Sequence, residues 1–188
     1  MRPNRGTRRV MIKDISTAFL QAHKYPPGIV QYIHWKDPFT GKFNYYRQSG
    51  PIYGESSAPV RWEKTIAGFL EEQGFVRGEN EPGVFYHKER DVLVLLYVDD
   101  LLVDAEAEQC AWVDKVIAKR FASKESEYLT KDNPLDYIGM DISLDSDKIY
   151  ISMDNYIKSS LQSLGWEDIR TFAVPISNEI DTESEQLG

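Results

Sequence analysis

Three carboxylates carry the most specific chemistry this sequence offers: Asp14, and far along the chain the adjacent pair Asp99-Asp100. Unpaired carboxylates brought together repel, and each is driven to take up a proton unless a cation compensates. Oxygen-only ligands suit Mg²⁺, with Mn²⁺ as its substitute, held by one or two carboxylates plus substrate phosphates. Two such ions about 4 Å apart clamp the attacking and leaving oxygens of an in-line displacement. The reaction class is then phosphoryl or nucleotidyl transfer. A plainer reading stands beside it, since Asp-Asp is common in tight turns and Asp14 could simply solvate a strand end. The flanks favour chemistry: Val92 to Val98 and Leu101 to Val103 are apolar on both sides of the pair, a rigid mounting that an exposed turn does not need.

Little else competes. His23, His34 and His87 are scattered over separate elements with no nucleophile to pair with, and Cys110 lies on an apolar helical face. A single cysteine excludes an internal disulfide framework and a cysteine-rich zinc site. It also points to a reducing compartment, so the expected location is intracellular, cytoplasmic or nuclear, and not secreted. No apolar run is long enough to span a membrane, and the arginine-rich start is not followed by a signal-peptide core. The net charge of -8 argues against broad adhesion to phosphates, so contact with nucleic acid has to be local or supported by metal ions.

The elements that must position the carboxylates follow from spacing. At 188 residues and 41% hydrophobic, the chain has room for one core and no second independent one. Residues 1–9 read as a basic arm, 10–176 as the domain, and 177–188 as an acidic, disordered tail. Val10 to Ile12 predicts a short strand, with Lys13 and Asp14 interrupting its end. Ile29 to Trp35 and Phe43 to Tyr46 predict a hairpin across a turn-forming segment. Ser57 is placed to cap a helix carrying Trp62, Ile66, Phe69 and Leu70, ended by Gly74. Val84 to Tyr86 and Val92 to Val98 are strands, the second returning through Leu101 to Val103. A second helix, about 106–121, presents Cys110, Val113, Ile117 and Phe121. Strands around Tyr137 to Leu144 and Ile149 to Ser152 follow, then a helix from Asp154 to Leu164 stopped by Gly165.

Without the accessory hairpins the order is strand, helix, strand, strand, helix, strand, an α+β arrangement of the ferredoxin-like (split βαβ) type. The right-handed crossover sets the first two strands parallel with the third between them, antiparallel to both. Asp14, at the end of the first, is then expected beside the turn that carries Asp99 and Asp100.

Leu-Leu-Tyr97-Val98-Asp99-Asp100-Leu-Leu resembles the catalytic hairpin of reverse transcriptases, specifically those of copia-type long-terminal-repeat retrotransposons. Asp14 followed by Thr17-Ala18-Phe19-Leu20 is similar to the family's first carboxylate motif. Tyr53-Gly54, Ala58-Pro59 and Trp62 resemble its Leu-Tyr-Gly-Leu-Lys-Gln-Ala-Pro-Arg-x-Trp segment, and Ile138-Gly139 with Ile142 its Leu-Gly-x-x-Ile strand. Ile151-Ser152, Tyr156-Ile157 and Val174-Pro175 resemble the approach to the thumb. The matches keep family order over roughly residues 10–176, which a single-motif coincidence does not produce.

The resemblance implies the palm of a right-hand polymerase with the start of a thumb, acting as an RNA-directed DNA polymerase on an RNA or DNA template-primer and deoxynucleoside triphosphates. It implies Asp14 and Asp99 as principal ligands of two Mg²⁺ ions, Asp100 as a weaker third and the Ile15 carbonyl as an accessory. Phe19 falls at the aromatic gate against a 2′-hydroxyl, although an Ala-Phe-Leu phenylalanine can equally be core. Tyr53, Gly54 and Tyr97 fall at nucleotide-contacting positions, and Lys124 at that of a lysine assisting the leaving group, although Tyr53 could be an ordinary loop aromatic and Lys124 merely solvated. Trp62 reads as helix core.

The chain departs from the pattern at Glu55-Ser56-Ser57, where the family has Leu-Lys-Gln, and this predicts weaker substrate binding. With only ten residues before Met11 and no ribonuclease H or integrase segment, the resemblance implies a palm-centred fragment of a Pol polyprotein, fingers and other modules lying on other segments. Two alternatives remain: a non-catalytic remnant of the domain that at most binds a partner, and a two-metal nuclease using Asp14, Asp99 and Asp141.

Overall fold

The structure, a computed structural model, describes residues 8–146 and 148–166. The first seven residues of the basic arm, Val174-Pro175 and the acidic tail lie outside them. The chain divides into two compact units, residues 1–152 and 153–188.

The first unit is a mixed α/β body of antiparallel sheets. Its strands are β1 (Arg8–Asp14), β2 (Gln31–Lys36), β3 (Phe43–Gln48), β4 (Val76–Arg77), β5 (Val84–His87), β6 (Val92–Tyr97), β7 (Asp100–Glu106), β8 (Glu127–Tyr128), β9 (Leu135–Tyr137), β10 (Met140–Asp145) and β11 (Lys148–Ser152). Helix α1 (Ala58–Glu72) lies between β3 and β4, and α2 (Ala107–Arg120) between β7 and β8. The main sheet runs β4-β5-β6-β7-β1-β8, with β11-β10-β9 and β2-β3 as separate sheets. As expected, β7 lies between β1 and β6 and is antiparallel to both.

Strict alternation in β7 buries Leu101, Val103 and Ala105 on one face of the main sheet. Against that face pack Trp62, Ile66 and Leu70 of α1 and Cys110, Val113 and Ile117 of α2, with Met11, Ile15, Val92, Val94 and Phe121. Each large side chain so buried contributes about 1.5–3 kcal/mol. The opposite face supplies Val10, Ile12, Leu95 and Leu102 to a smaller cluster with Leu129, Leu135, Tyr137 and Ile142. The Tyr137 hydroxyl donates to the Leu95 carbonyl at 3.2 Å, and burial pushes its pKa up to about 12.

Four differences from the sequence reading have physical causes. Strand β1 starts at Arg8, which pairs with Asp104 on the neighbouring strand and with Asp91. The strand also continues through Lys13 and Asp14: Lys13 is only 4% exposed, and its ammonium is satisfied by Asp114 (2.6 Å), the Lys124 carbonyl (2.9 Å) and Ser126 (3.4 Å). Tyr137 to Leu144 is two strands, because Ile138 and Gly139 take φ of 57° and 74° and make a tight turn that pairs Tyr137 with Met140. Finally, Ser57 occupies the N-cap position of α1 without capping it, its hydroxyl turning instead to Glu55.

The described part of the second unit is α3 (Asp154–Ser163), which ends in a left-handed Gly165 at φ 68°.

Candidate active site

The register of β1 on β7 makes Asp14 and Asp100 direct cross-strand partners, and that of β6 on β7 makes Tyr97 the partner of Asp100 on the other side. Because alternate residues face opposite ways, all three leave the sheet on the side away from α1 and α2. Asp99 sits between them in the two-residue turn Val98-Asp99. Val98 has φ 53°, a conformation that a β-branched residue adopts at a cost of about 1–3 kcal/mol. Both turn carbonyls are held. The Trp62 indole N–H donates to Val98 at 2.6 Å, and the Ile15 amide donates to Asp99 at 2.9 Å. Trp62 is thus core, as expected, and also the support of this turn.

The loop after α2 closes the corner. Lys124 donates its amide to the Asp14 carbonyl (2.9 Å) and its ammonium to Asp14 Oδ2 (2.7 Å). That hydrogen bond and the Asp14 charge raise the Lys124 pKa. Asp100 is raised by burial first and then by the charges of Asp99 and Asp14, with Lys124 opposing and Asp136 adding. Asp136 had no signal in the sequence. It lies on β9 opposite Asp141 of β10, so the acid from this sheet that acts on Asp100 is the partner of the residue expected to take part in a nuclease.

Of the residues that the resemblance gives to the nucleotide, Phe19, Tyr53 and Gly54 come together, whereas Tyr97 and Lys124 sit at the carboxylate corner. Phe19, in a 3₁₀ turn (Ala18–Gln21) just beyond β1, is half-buried against the core and packs its ring on that of Tyr53, centroids 5.1 Å apart. Tyr53 is 56% exposed, and Gly54 beside it takes φ 87° with open space around its Cα. The histidines are elsewhere: His34 stacks on Phe43 and Tyr45, and His87 packs edge-on to Phe75 and Trp112. Cys110 is buried, its thiol pushed up to about 11 by burial.

Among the described residues no three His, Cys, Asp or Glu side chains form a ready-made metal cage. A hard divalent cation does not need one, since Mg²⁺ is commonly held by one or two carboxylates with waters and substrate phosphates completing the shell. The donor set is all oxygen, and the mutual repulsion felt by Asp100 is the condition that such a cation relieves. By donor type Asp14, Asp99 and Asp100 suit such an ion, although among the described residues their side chains do not converge into a cage.

Against known proteins, the family model described as reverse transcriptase (RNA-dependent DNA polymerase) matches residues 5–178. The chain belongs to that family. It is also similar to the putative transposon Ty5-1 protein of Saccharomyces cerevisiae, 27% identical in an alignment 177 positions long that covers 88% of this chain and 53% of the relative. The chain spans about half the length of that curated relative. The copia-type retrotransposon reading drawn from Asp14, Tyr53-Gly54 and Tyr97 to Asp100 is thereby borne out for the family.

Proposed function

We propose that this reverse transcriptase chain carries the nucleotidyl-transfer centre of an RNA-directed DNA polymerase. The observation that carries the reading is the cross-strand pairing of Asp14 with Asp100 beside a strained turn bearing Asp99, in a chain of this family. The order β6-β7-β1-β8, with α1 between β1 and β6 and α2 between β7 and β8, supports reading the body as a ferredoxin-like palm.

Asp14 and Asp99 would hold Mg²⁺, with Asp100 as a weaker third ligand and the Ile15 carbonyl as an accessory. Bound there, the metal would activate a primer hydroxyl and stabilise the pyrophosphate leaving group. The protein's own work is positioning. Phe19 and Tyr53 form an aromatic floor for the sugar of a deoxynucleoside triphosphate, with Phe19 closing the space a 2′-hydroxyl would need. Gly54 admits close backbone approach, Tyr97 lines the approach to Asp100, and Lys124 keeps a proton at Nζ beside Asp14. The partners are a template-primer and, in the whole protein, the remaining modules of a Pol polyprotein.

The test is Mn²⁺ binding followed by proton relaxation. Asp14→Asn or Asp99→Asn should weaken it at least about tenfold, the scale on which lost ligand-sphere groups act. Unchanged binding in both variants would remove the metal reading and leave a non-catalytic remnant of the domain, a reading that the Lys124 ammonium on Asp14 favours.

A further inference from the structure

The segment that departs from the family, Glu55-Ser56-Ser57, is where the structure adds something that the sequence comparison misses. An acid beside the nucleotide turn reads as a repulsive fault. In the structure Glu55 is instead the most heavily engaged carboxylate of its neighbourhood. The Tyr25 hydroxyl lies 2.7 and 2.6 Å from its two oxygens, Gln48 Nε2 donates at 2.8 Å, and the Ser57 hydroxyl donates as well. Gln48 also donates to the Gly50 carbonyl (2.8 Å) and to the Tyr25 oxygen (3.1 Å). Arg61 of α1 closes the group, its guanidinium 4.6 Å from the Tyr25 ring centre and its Nε 3.3 Å from Ser57 Oγ.

The backbone of the loop has few ties of its own. Glu55 donates its amide to Ile52 at 3.3 Å, and Ala58 donates to the Glu55 carbonyl at 3.1 Å. Gly54, at φ 87°, removes side-chain restraint from the residue between Tyr53 and Glu55. Tyr53 itself is mostly exposed and is steadied by one ring contact, with Phe19. Residues 50–57 are therefore tied to β3, to Tyr25 and to α1 mostly by side-chain hydrogen bonds, and Glu55 is the residue that most of them share, with Gln48 on Gly50 and Arg61 on Ser57 as ties independent of it.

We propose that Glu55 is a positioning residue: by gathering Tyr25, Gln48 and Ser57 it fixes the Tyr53-Gly54 turn, and with it the Phe19–Tyr53 ring pair, in the shape that receives a deoxynucleoside triphosphate. The inference rests on the polymerase reading above and deepens it on the nucleotide side. It turns the departure from the family into a substitute device, in which an internal tie takes over the shaping of a loop that has lost its lysine.

Charge gives the test its sign. If Glu55 only repels a triphosphate, any neutral replacement strengthens binding. If it positions the turn, Glu55→Ala weakens binding, whereas Glu55→Gln, equally neutral but still able to accept from Tyr25 or Ser57, stays close to the parent. The experiment is calorimetric titration of the full chain with dATP in Mg²⁺ for the parent, both Glu55 variants and Tyr25→Phe, with the Phe19–Tyr53 ring proximity read by nuclear Overhauser contacts in the same samples. The expected result is about tenfold weaker binding for Glu55→Ala than for Glu55→Gln, the scale of re-ordering a loop and its side chains on binding, a smaller loss for Tyr25→Phe, and loss of the ring contact only in Glu55→Ala. Equal affinities for the Ala and Gln variants, or an intact ring contact in Glu55→Ala, overturn the inference while the polymerase reading stands. A parent chain that binds no dATP overturns the nucleotide-site reading and this inference with it.

Discussion

Asp100 and Glu55 are two carboxylates of the same unit in opposite surroundings. Asp100 is half-buried among Asp99, Asp14 and Asp136, and burial and like charge both act against its ionised form. Glu55 is surrounded by donors, and the hydrogen bonds from Ser57 and Tyr25 lower its pKa. The means of support differ as well. The corner around Asp100 is held by strand register, two captured turn carbonyls and a buried helix face, whereas the loop around Glu55 is held by side-chain hydrogen bonds near the surface. On the proposed reading the first region binds a cation, and a site of that kind can carry unrelieved negative charge only on a frame that does not yield, which is how stored strain and rigid mounting go together. On the same reading the second region fits a substrate, for which definition matters more than rigidity.

The largest effect is expected where frame and turn meet. Trp62→Ala removes a side chain that is 1% exposed and should cost about 3–5 kcal/mol in urea unfolding. Trp62→Phe keeps most of the ring but takes the donor from the carbonyl of the partly exposed Val98, at about 0.5–1.5 kcal/mol. If the Phe variant is as stable as the parent, the indole does not support the turn and the contrast between the two regions loses its main term.

Next comes the back of the same corner. Lys13 points away from Asp14 and pairs with Asp114 of α2, and the two partners are unequally exposed, at 4% and 37% of their side chains. Asp114→Leu leaves a buried ammonium with the Lys124 carbonyl and Ser126 but no counter-charge, and should cost about 3 kcal/mol, at the lower end for breaking a buried pair. Lys13→Met leaves a carboxylate that water can reach and should cost about 1 kcal/mol, the value of a surface pair. Thermal unfolding of the two variants checks the order. The reverse order would mean that the corner is held from the helix side and not from the strand.

Much of this frame could be read from residue pattern alone, and the exceptions share a cause. The β6–β7 hairpin stands out because an apolar run is broken once, by two acids, and the meeting of Asp14 with Asp100 follows from strand order. Helices α1 and α2 announce themselves by spacing. Strand β8 does not, since Glu127–Tyr128 sits in a charge-rich stretch and pairs only because β1 offers it an open edge at Met11 and Ile12. The turn at Ile138-Gly139 is hidden inside a run that looks continuous. Trp62 with Val98 and Glu55 with Tyr25 are contacts between segments that no local pattern joins, so residue type predicts a buried indole or a surface acid but not its partner.

The smallest effect is also the most direct comparison of the two carboxylates, because their pH signatures have opposite signs. A carboxylate raised on folding binds more protons in the native state between its unfolded and folded values, so stability falls as pH rises through that window. For Asp100 this means that acidification from neutral pH, without divalent metal, first relieves the corner. Glu55 is lowered, so its contribution is fully present above its ordinary value and is lost as pH falls through the folded one. Asp114 behaves like Glu55: burial opposes ionisation, but the hydrogen bonds from Lys13 and Ser126 outweigh it. Urea midpoints against pH should therefore rise and then fall on acidification. Asp100→Asn should remove the rise and keep the fall, and Glu55→Gln should flatten part of the fall and keep the rise. Added Mg²⁺ should erase the rise in the parent and in Glu55→Gln alike, because a cation beside Asp100 brings its pKa back down. A rise that survives both Asp100→Asn and Mg²⁺ would place the unrelieved charge somewhere other than the hairpin tip.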